Sequence, residues 1–185
     1  MFTLQAAPGS YKTLTVRRAP GRKTRGVLVA SAGKCRRAFP CALGRSRIGR
    51  KRGEGDGVTP LGSFRLLRAY WRRDKLSAGP LSLPASPIFK NSGWCDEPGH
   101  PCYNQPVRLP FGAGHEKMWR EDHLYDVVIV LDHNQTERLS VGGSAIFFHL
   151  AREGFSPTEG CVAVSRSTMN HLLPRIDGDT IMRIL

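Results

Sequence analysis

Seven prolines fall between residues 78 and 110, at Pro80, Pro84, Pro87, Pro98, Pro101, Pro106 and Pro110. Each fixes its own φ, lacks a backbone N–H and disfavours the helical region for the residue before it, so no long regular element fits this stretch. The middle of the chain is therefore expected to be a long loop region. Such loops in compact domains often carry function, which makes a substrate-lining lid the expectation and an irregular cover for a sheet edge the duller alternative.

Regular structure must come from the flanks, and these read as strands. Leu14-Thr15-Val16 and residues 27–30 are early candidates, separated by a basic Pro-Gly segment that suits a turn. Residues 64–70 follow, then 125–131, an apolar run with one Asp, then 144–149 after Gly142-Gly143, Val162-Ala163-Val164, and a closing strand over 179–185. Period two puts Ala145, Phe147 and His149 on one face of their strand and Ser144, Ile146 and Phe148 on the other. One helix is expected. Ser165 is its N-cap, Met169, Leu172, Leu173 and Ile176 form its apolar face, Val164 and Met169 its hydrophobic staple, and Pro174 its early end. With 20 Gly and 13 Pro, the fold class is mainly β with one or two short helices and long Pro-rich loops. At 185 residues and 40% hydrophobic, with no internal repeat, the chain reads as one domain spanning 1–185, its core starting near residue 12.

Charge is uneven. Lys plus Arg number 28 against 15 Asp plus Glu, with basic clusters at Arg17-Arg18, residues 22–25, 34–37 and 45–52, and Arg72-Arg73. A surface of this kind attracts polyanions, whether nucleic acid, lipid head groups or wall polymers. No zinc-finger spacing, aromatic RNA-recognition motif or Walker-type loop accompanies it. Gly53-Glu54-Gly55-Asp56-Gly57 lacks the G-x-G-x-x-G spacing and reads as a flexible loop rather than a phosphate cradle. Of the five cysteines, Cys35 with Cys41 and Cys95 with Cys102 are the easiest pairings by spacing, and reduced structural thiols are preferred to either. Zinc on Cys95, His100 and Cys102 would need a fourth ligand and an unusual spacing.

Phe148-His149-Leu150, followed by Ser156-Pro157-Thr158-Glu159-Gly160-Cys161-Val162, joins an imidazole to a thiol set in a tight turn. An imidazole can take the thiol proton and hold the charge pair that results. Gly160 lets a substrate carbonyl approach the main chain, where backbone N–H groups can face an oxyanion, and Thr158 and Ser156 can add hydrogen bonds. A buried, inert structural cysteine is the competing reading, and the residue types alone leave both open. His115 and His123 could line the same site or belong to ordinary polar loops.

The His149 and Gly160-Cys161 pattern resembles the catalytic signature of the L,D-transpeptidases, the YkuD-like family that remodels peptidoglycan. Thr59-Pro60-Leu61-Gly62-Ser63-Phe64 is similar to that domain's early Thr-Pro-x-Gly-x-Phe element. Cys41-Ala42-Leu43-Gly44-Arg45, Gly93-Trp94-Cys95-Asp96, His115-Glu116 with Trp119-Arg120, and Tyr125-Asp126-Val127-Val128 resemble a compact, single-domain proteobacterial branch of it. The resemblance implies a YkuD-like β-sandwich, Cys161 as nucleophile, His149 as base, and N–H groups at Gly160 and Cys161 as oxyanion hole. It further implies substrate contacts from Thr158, Ser144, Glu116 and Arg120, with an Arg120 ion pair to Asp122 or Asp126 as the structural alternative. No metal or organic cofactor is implied. The expected partners are peptidoglycan stem peptides as donor and acceptor, with no specific nucleic acid, and the expected state is a monomer.

Three departures from the family pattern bear on the substrate side. Glu159 stands where many members have His before the Gly-Cys pair, Ala163 where they have Asn or Arg, and Leu150 where Gly or Ser follows the catalytic His. A backbone carbonyl is thus the expected third partner of the imidazole. The first 30 residues hold no apolar stretch of signal-peptide length and no run long enough for a membrane span. The resemblance nonetheless implies work in the periplasm. Peptidoglycan L,D-transpeptidation is the expected activity, against a carboxypeptidase or endopeptidase on the same scaffold, or a noncatalytic basic protein binding wall polymer or nucleic acid.

Overall fold

The computed structural model describes residues 10–76 and 81–185, so Ala78 and Pro80 of the Pro-rich stretch lie outside the described residues. Alternation sets the first strands. In β1 (Thr13–Arg18) Leu14 and Val16 are fully buried, and in β2 (Arg25–Ala32) Leu28 and Ala30 are, while the residues between them face outward. The chain continues through β3 (Cys35–Ala42), the two-residue strands β4 (Ile48–Gly49) and β5 (Thr59–Pro60), the long β6 (Gly62–Trp71), β7 (Ala85–Pro87), β8 (Ser92–Cys95), β9 (Pro106–Arg108) and β10 (His115–Lys117). β11 (Val127–Leu131), β12 (Phe147–Leu150), β13 (Val162–Val164), helix α1 (Arg166–Leu172) and β14 (Ile181–Ile184) complete it.

One mixed sheet dominates, in the order β11-β12-β13-β3-β2-β1-β14-β6-β7. Because β6 also pairs antiparallel with β11, the sheet closes on itself into a barrel-like ring, with β7 alongside β6. The two layers of the expected sandwich are opposite walls of this one sheet. Within it β1 runs parallel to β14, and β12 parallel to β13.

Two hydrophobic cores meet on the central strands. Ile129, Phe148, Leu150, Val162 and Val164 point to the main core, where Met169 and Leu172 of α1 and Ile176 join them. Val128, Val130 and Phe147 point the other way, against Ile88, Trp94, Met118, Leu124 and Tyr125. All five residues of β11 are buried for this reason, which is why its sequence is a continuous apolar run rather than an alternating one. Each large side chain so buried contributes roughly 2 kcal/mol by area removed from water. The second core is roofed by a three-stranded sheet, β10-β8-β9, drawn largely from the Pro-rich stretch. Its elements are three or four residues long, and Pro106 opens the edge strand β9, where a missing N–H does least harm.

Helix α1 starts as its cap residues require, with Ser165 Oγ accepting the Thr168 N–H, and gives way at Leu173–Arg175 to a 3-10 turn containing Pro174. Other expectations shift. Tyr125 lies in a 3-10 turn before β11 and residues 144–146 precede β12. Residues 53–57 are tied down, since the Asp56 carboxylate accepts from Arg52 N, Val58 N and Lys51 Nζ. Two members of the basic clusters are inside the protein: Lys51 pairs with Asp56, and Arg72 forks onto Asp74 while its guanidinium stacks 3.5 Å above Trp119. All five cysteines are free. Cys35 and Cys41 lie on one extended strand, about 20 Å apart at a strand's rise, far beyond disulfide reach. His100 Nδ1 accepts the Cys102 N–H, which commits that ring nitrogen. Among the described residues no helix is long and apolar enough to cross a membrane.

Candidate active site

Strand β12 carries His149, and Cys161 stands immediately before β13. The parallel register of the two strands sets Phe148 opposite Val162 and His149 opposite Ala163, so Phe147 and His149 share a face of the sheet with Cys161 and Ala163. That face opens into a cavity of about 460 Å³ lined by both Cys161 and His149. The backbone of Cys161 is 2 residues short of the level of His149, roughly 6.5 Å along a strand. Its sulfur is held by two bonds: Phe147 N–H donates to Sγ at 3.3 Å, and Sγ–H donates to the Ala145 carbonyl at 3.2 Å. The two groups thus share a wall without a hydrogen bond between them.

The imidazole is oriented by its own strand. His149 Nδ1 lies 2.8 Å from the Leu150 carbonyl oxygen, and a carbonyl can only accept, so Nδ1 carries the proton and Nε2 is the basic nitrogen. This is a backbone carbonyl in the position where a third partner was expected. The Tyr125 ring packs edge-on to the imidazole, 5.3 Å between centroids.

The turn before the sulfur is shaped by a contact no other residue permits. Gly160 has φ +137°, and a Cβ there would fall 2.8 Å from the Val58 carbonyl oxygen. Thr158 braces the turn from within: its hydroxyl donates to the Cys161 carbonyl at 2.7 Å and accepts the Gly160 N–H at 3.2 Å. For that N–H to face an oxyanion, the longer of these two bonds must be exchanged. Thr158 is in turn fixed to the loop after β3, through Arg45 N to Thr158 O at 2.9 Å and Thr158 N to Leu43 O at 3.0 Å. Thr59, of the Thr-Pro-x-Gly element, accepts the neighbouring Gly44 N–H on its hydroxyl at 2.7 Å. The two motifs are joined through this loop.

Electrostatically the pair rests uncharged. Burial pushes the Cys161 thiol up to about 12, and the Glu116 carboxylate pushes the same way. Burial pulls the His149 imidazole down to about 4. Glu116 is itself raised by burial, although it accepts from Tyr125 Oη at 2.7 Å. Arg120 forks onto Asp122 at 2.8 and 2.7 Å and reaches Glu116 only at 3.9 Å, while Asp126 pairs with Arg166. Arg120 nevertheless lines the cavity, as do Thr158, Ser144 and Glu116. The buried Ser144 Oγ has no hydrogen-bond partner among the described residues. His115 lines the cavity too, whereas His123 spends Nε2 on the Ala151 carbonyl at 2.9 Å.

Sequence reasoning missed Lys51, Glu54, Asp96 and Tyr125, all on the cavity wall. Tyr125 and Asp96 stand in stretches that carry the family resemblance, Tyr125 also at the start of an apolar run, without a role at the site being assigned to either, and Lys51 is one charge in a basic cluster.

Residues 21–184 match the family model described as YkuD, L,D-transpeptidase catalytic domain. No curated protein matches the chain.

Proposed function

Since the chain belongs to the YkuD L,D-transpeptidase catalytic-domain family over residues 21–184, we propose that it cross-links peptidoglycan stem peptides by acyl transfer through Cys161. The observation that carries this reading is the shared cavity of Cys161 and a His149 whose tautomer leaves Nε2 basic.

A resting thiol near 12 and an imidazole near 4 on the same cavity wall do not form an ion pair. Proton transfer is therefore coupled to attack. Cys161 leaves the Ala145 carbonyl, gives its proton to His149 Nε2, and its sulfur bonds to the carbonyl carbon of an L-configured residue in the donor stem. The tetrahedral oxyanion is met by backbone N–H groups at the Gly160-Cys161 turn, for which such preorganised donors are typically worth 10²–10³ in rate. Collapse breaks the C–N bond, His149 returns the proton to the leaving D-amino acid, and a thioester remains. An amine of a neighbouring stem then attacks the thioester carbon with His149 as base, forming the new amide and restoring the thiol. The Leu150 carbonyl stabilises the imidazolium formed in each half-reaction. Outside the cytoplasmic membrane, in the periplasm, such stems are within reach.

The test is incubation of the purified protein with sacculi followed by mass spectrometry of the muropeptides. New cross-linked dimers that Cys161→Ala fails to produce support the proposal. Shortened stems without dimers would replace transfer by hydrolysis, and identical profiles for parent and variant would end the enzyme reading. A carbapenem adduct on intact mass, absent in Cys161→Ala, is the quicker check.

A further inference from the structure

Lys51 enters from the loop after β4 and is nearly closed off from solvent, with a side-chain exposure of 4%. Its path runs between two glycines. A Cβ on Gly143, whose φ is +71°, would fall 2.2 Å from Lys51 Cε, and one on Gly160 would lie 3.6 Å from Lys51 Nζ. The missing side chains of these residues make the channel that brings an ammonium to the foot of the turn carrying Cys161. Of its three N–H donors one goes to Asp56 Oδ1 at 2.6 Å and one to the Val58 carbonyl at 3.5 Å. Among the described residues the third has no acceptor, which leaves it for the cavity that Lys51 lines together with Cys161.

A tether alone explains this poorly. An exposed Lys-Asp pair would hold the loop without the desolvation penalty that a buried ammonium carries. The charges around the sulfur give the burial a use: Glu116 and Tyr125 face it across the cavity, Glu159 sits on its own turn and His149 on β12, and Glu54, Asp96, His115, Arg120 and Arg152 stand on the same wall; among these groups Lys51 is the cation whose charge acts on Cys161 to favour the thiolate. Asp56 neutralises Lys51 in part, and the charge of Lys51 also acts on His133.

We propose that Lys51 is a positioning residue for the nucleophile: held by Asp56 between Gly143 and Gly160, its ammonium stabilises the negative charge that develops at the Gly160-Cys161 turn. This rests on Cys161 being the nucleophile of the proposed reaction, but the test does not depend on turnover.

Alkylation of Cys161 by iodoacetamide is followed by peptide mass spectrometry from pH 6 to 10.5 in the parent, Lys51→Gln and Lys51→Arg, with exposed Cys35 in the same molecule as control. Removing an opposite charge that acts on a thiol moves it by about one unit, so Lys51→Gln is expected to alkylate about tenfold more slowly at a given pH. Lys51→Arg should keep the parent profile, and Cys35 should not change. A folded Lys51→Gln with the parent profile at Cys161 overturns the proposal, as does an equal loss in Lys51→Arg. If Lys51→Gln fails to fold, the parent alone decides. Its ratio of iodoacetate to iodoacetamide rates at Cys161 is expected to exceed that of 2-mercaptoethanol severalfold, and an equal or lower ratio sinks the idea. A shifted profile in a protein that makes no muropeptide dimers leaves Lys51 in this role and removes the transpeptidase reading. An unshifted profile in one that makes them does the reverse.

Discussion

The Thr158 hydroxyl donates to the carbonyl of Cys161 at 2.7 Å, and the same oxygen accepts the Gly160 N–H at 3.2 Å. One side chain therefore sets the pitch of the turn that presents the sulfur. Thr158→Ala should lose both bonds, lowering stability by about 1–2 kcal/mol in urea titration, each net hydrogen bond being worth about 1 kcal/mol. Its kcat should fall at least about tenfold, the scale of a misplaced reacting group. Thr158→Ser, which keeps the oxygen, should recover most of the rate. A fully active Thr158→Ala would mean that the turn holds its shape without this brace.

His149 acts as a base only while neutral, and burial keeps it neutral down to about pH 4. The rate of carbapenem acylation should therefore show no acid limb near 6.5, staying level as pH falls until it approaches 4. His149→Gln should lower that rate by about 10²–10⁴, the usual contribution of a general base. A limb centred on 6.5 would place the imidazole in water.

The same residue makes stability depend on pH in a fixed direction. Its folded value, about 4, is below the unfolded 6.5, so between those values the unfolded chain binds the extra proton. This contribution is complete above pH 6.5 and is lost as pH falls toward 4, about 3 kcal/mol at 1.36 kcal/mol per unit. His133 and His171, also lowered by burial, add to the same slope, while Glu116 and Asp96, raised by burial, oppose it. The comparison that isolates His149 is the difference between parent and His149→Gln in urea at pH 4.5 and 7.5. That difference should shrink at the lower pH.

Arg72 is buried between a carboxylate fork and an indole face, a geometry specific to a planar guanidinium. Arg72→Lys keeps the charge and loses both fits. A fall in Tm of roughly 5 °C is expected, a change of one to two kcal/mol in a domain of this size. Equal melting of parent and Arg72→Lys would show that neither the fork nor the stack contributes.

Much of the fold could be read in advance where burial is one-sided or total. β6 and β11, the capped helix α1 and the closing strand β14 all stand out by periodicity or apolar run. β3 does not, because its first four residues are exposed, two are Arg36 and Arg37, and Pro40 interrupts it; it exists by pairing with β2 over its whole length. The imidazole and thiol are legible for a chemical reason, since few pairs of side chains do what they do. Lys51 is not, because its meaning lies in two glycines 92 and 109 positions further along, namely Gly143 and Gly160. Arg72 hid in the same way, with its Trp119 partner in a bend after β10, far along the chain.

The pairing of β6 with β11 leaves β12, which bears His149, and β13, which follows directly on Cys161, with a neighbour on either side all the way round. A ring has no end from which to unzip. Amide hydrogens of β12 and β13 should accordingly be among the slowest to exchange, and a new specificity in this scaffold would have to be written into the rim loops, leaving the hoop that carries the reacting atoms as it is.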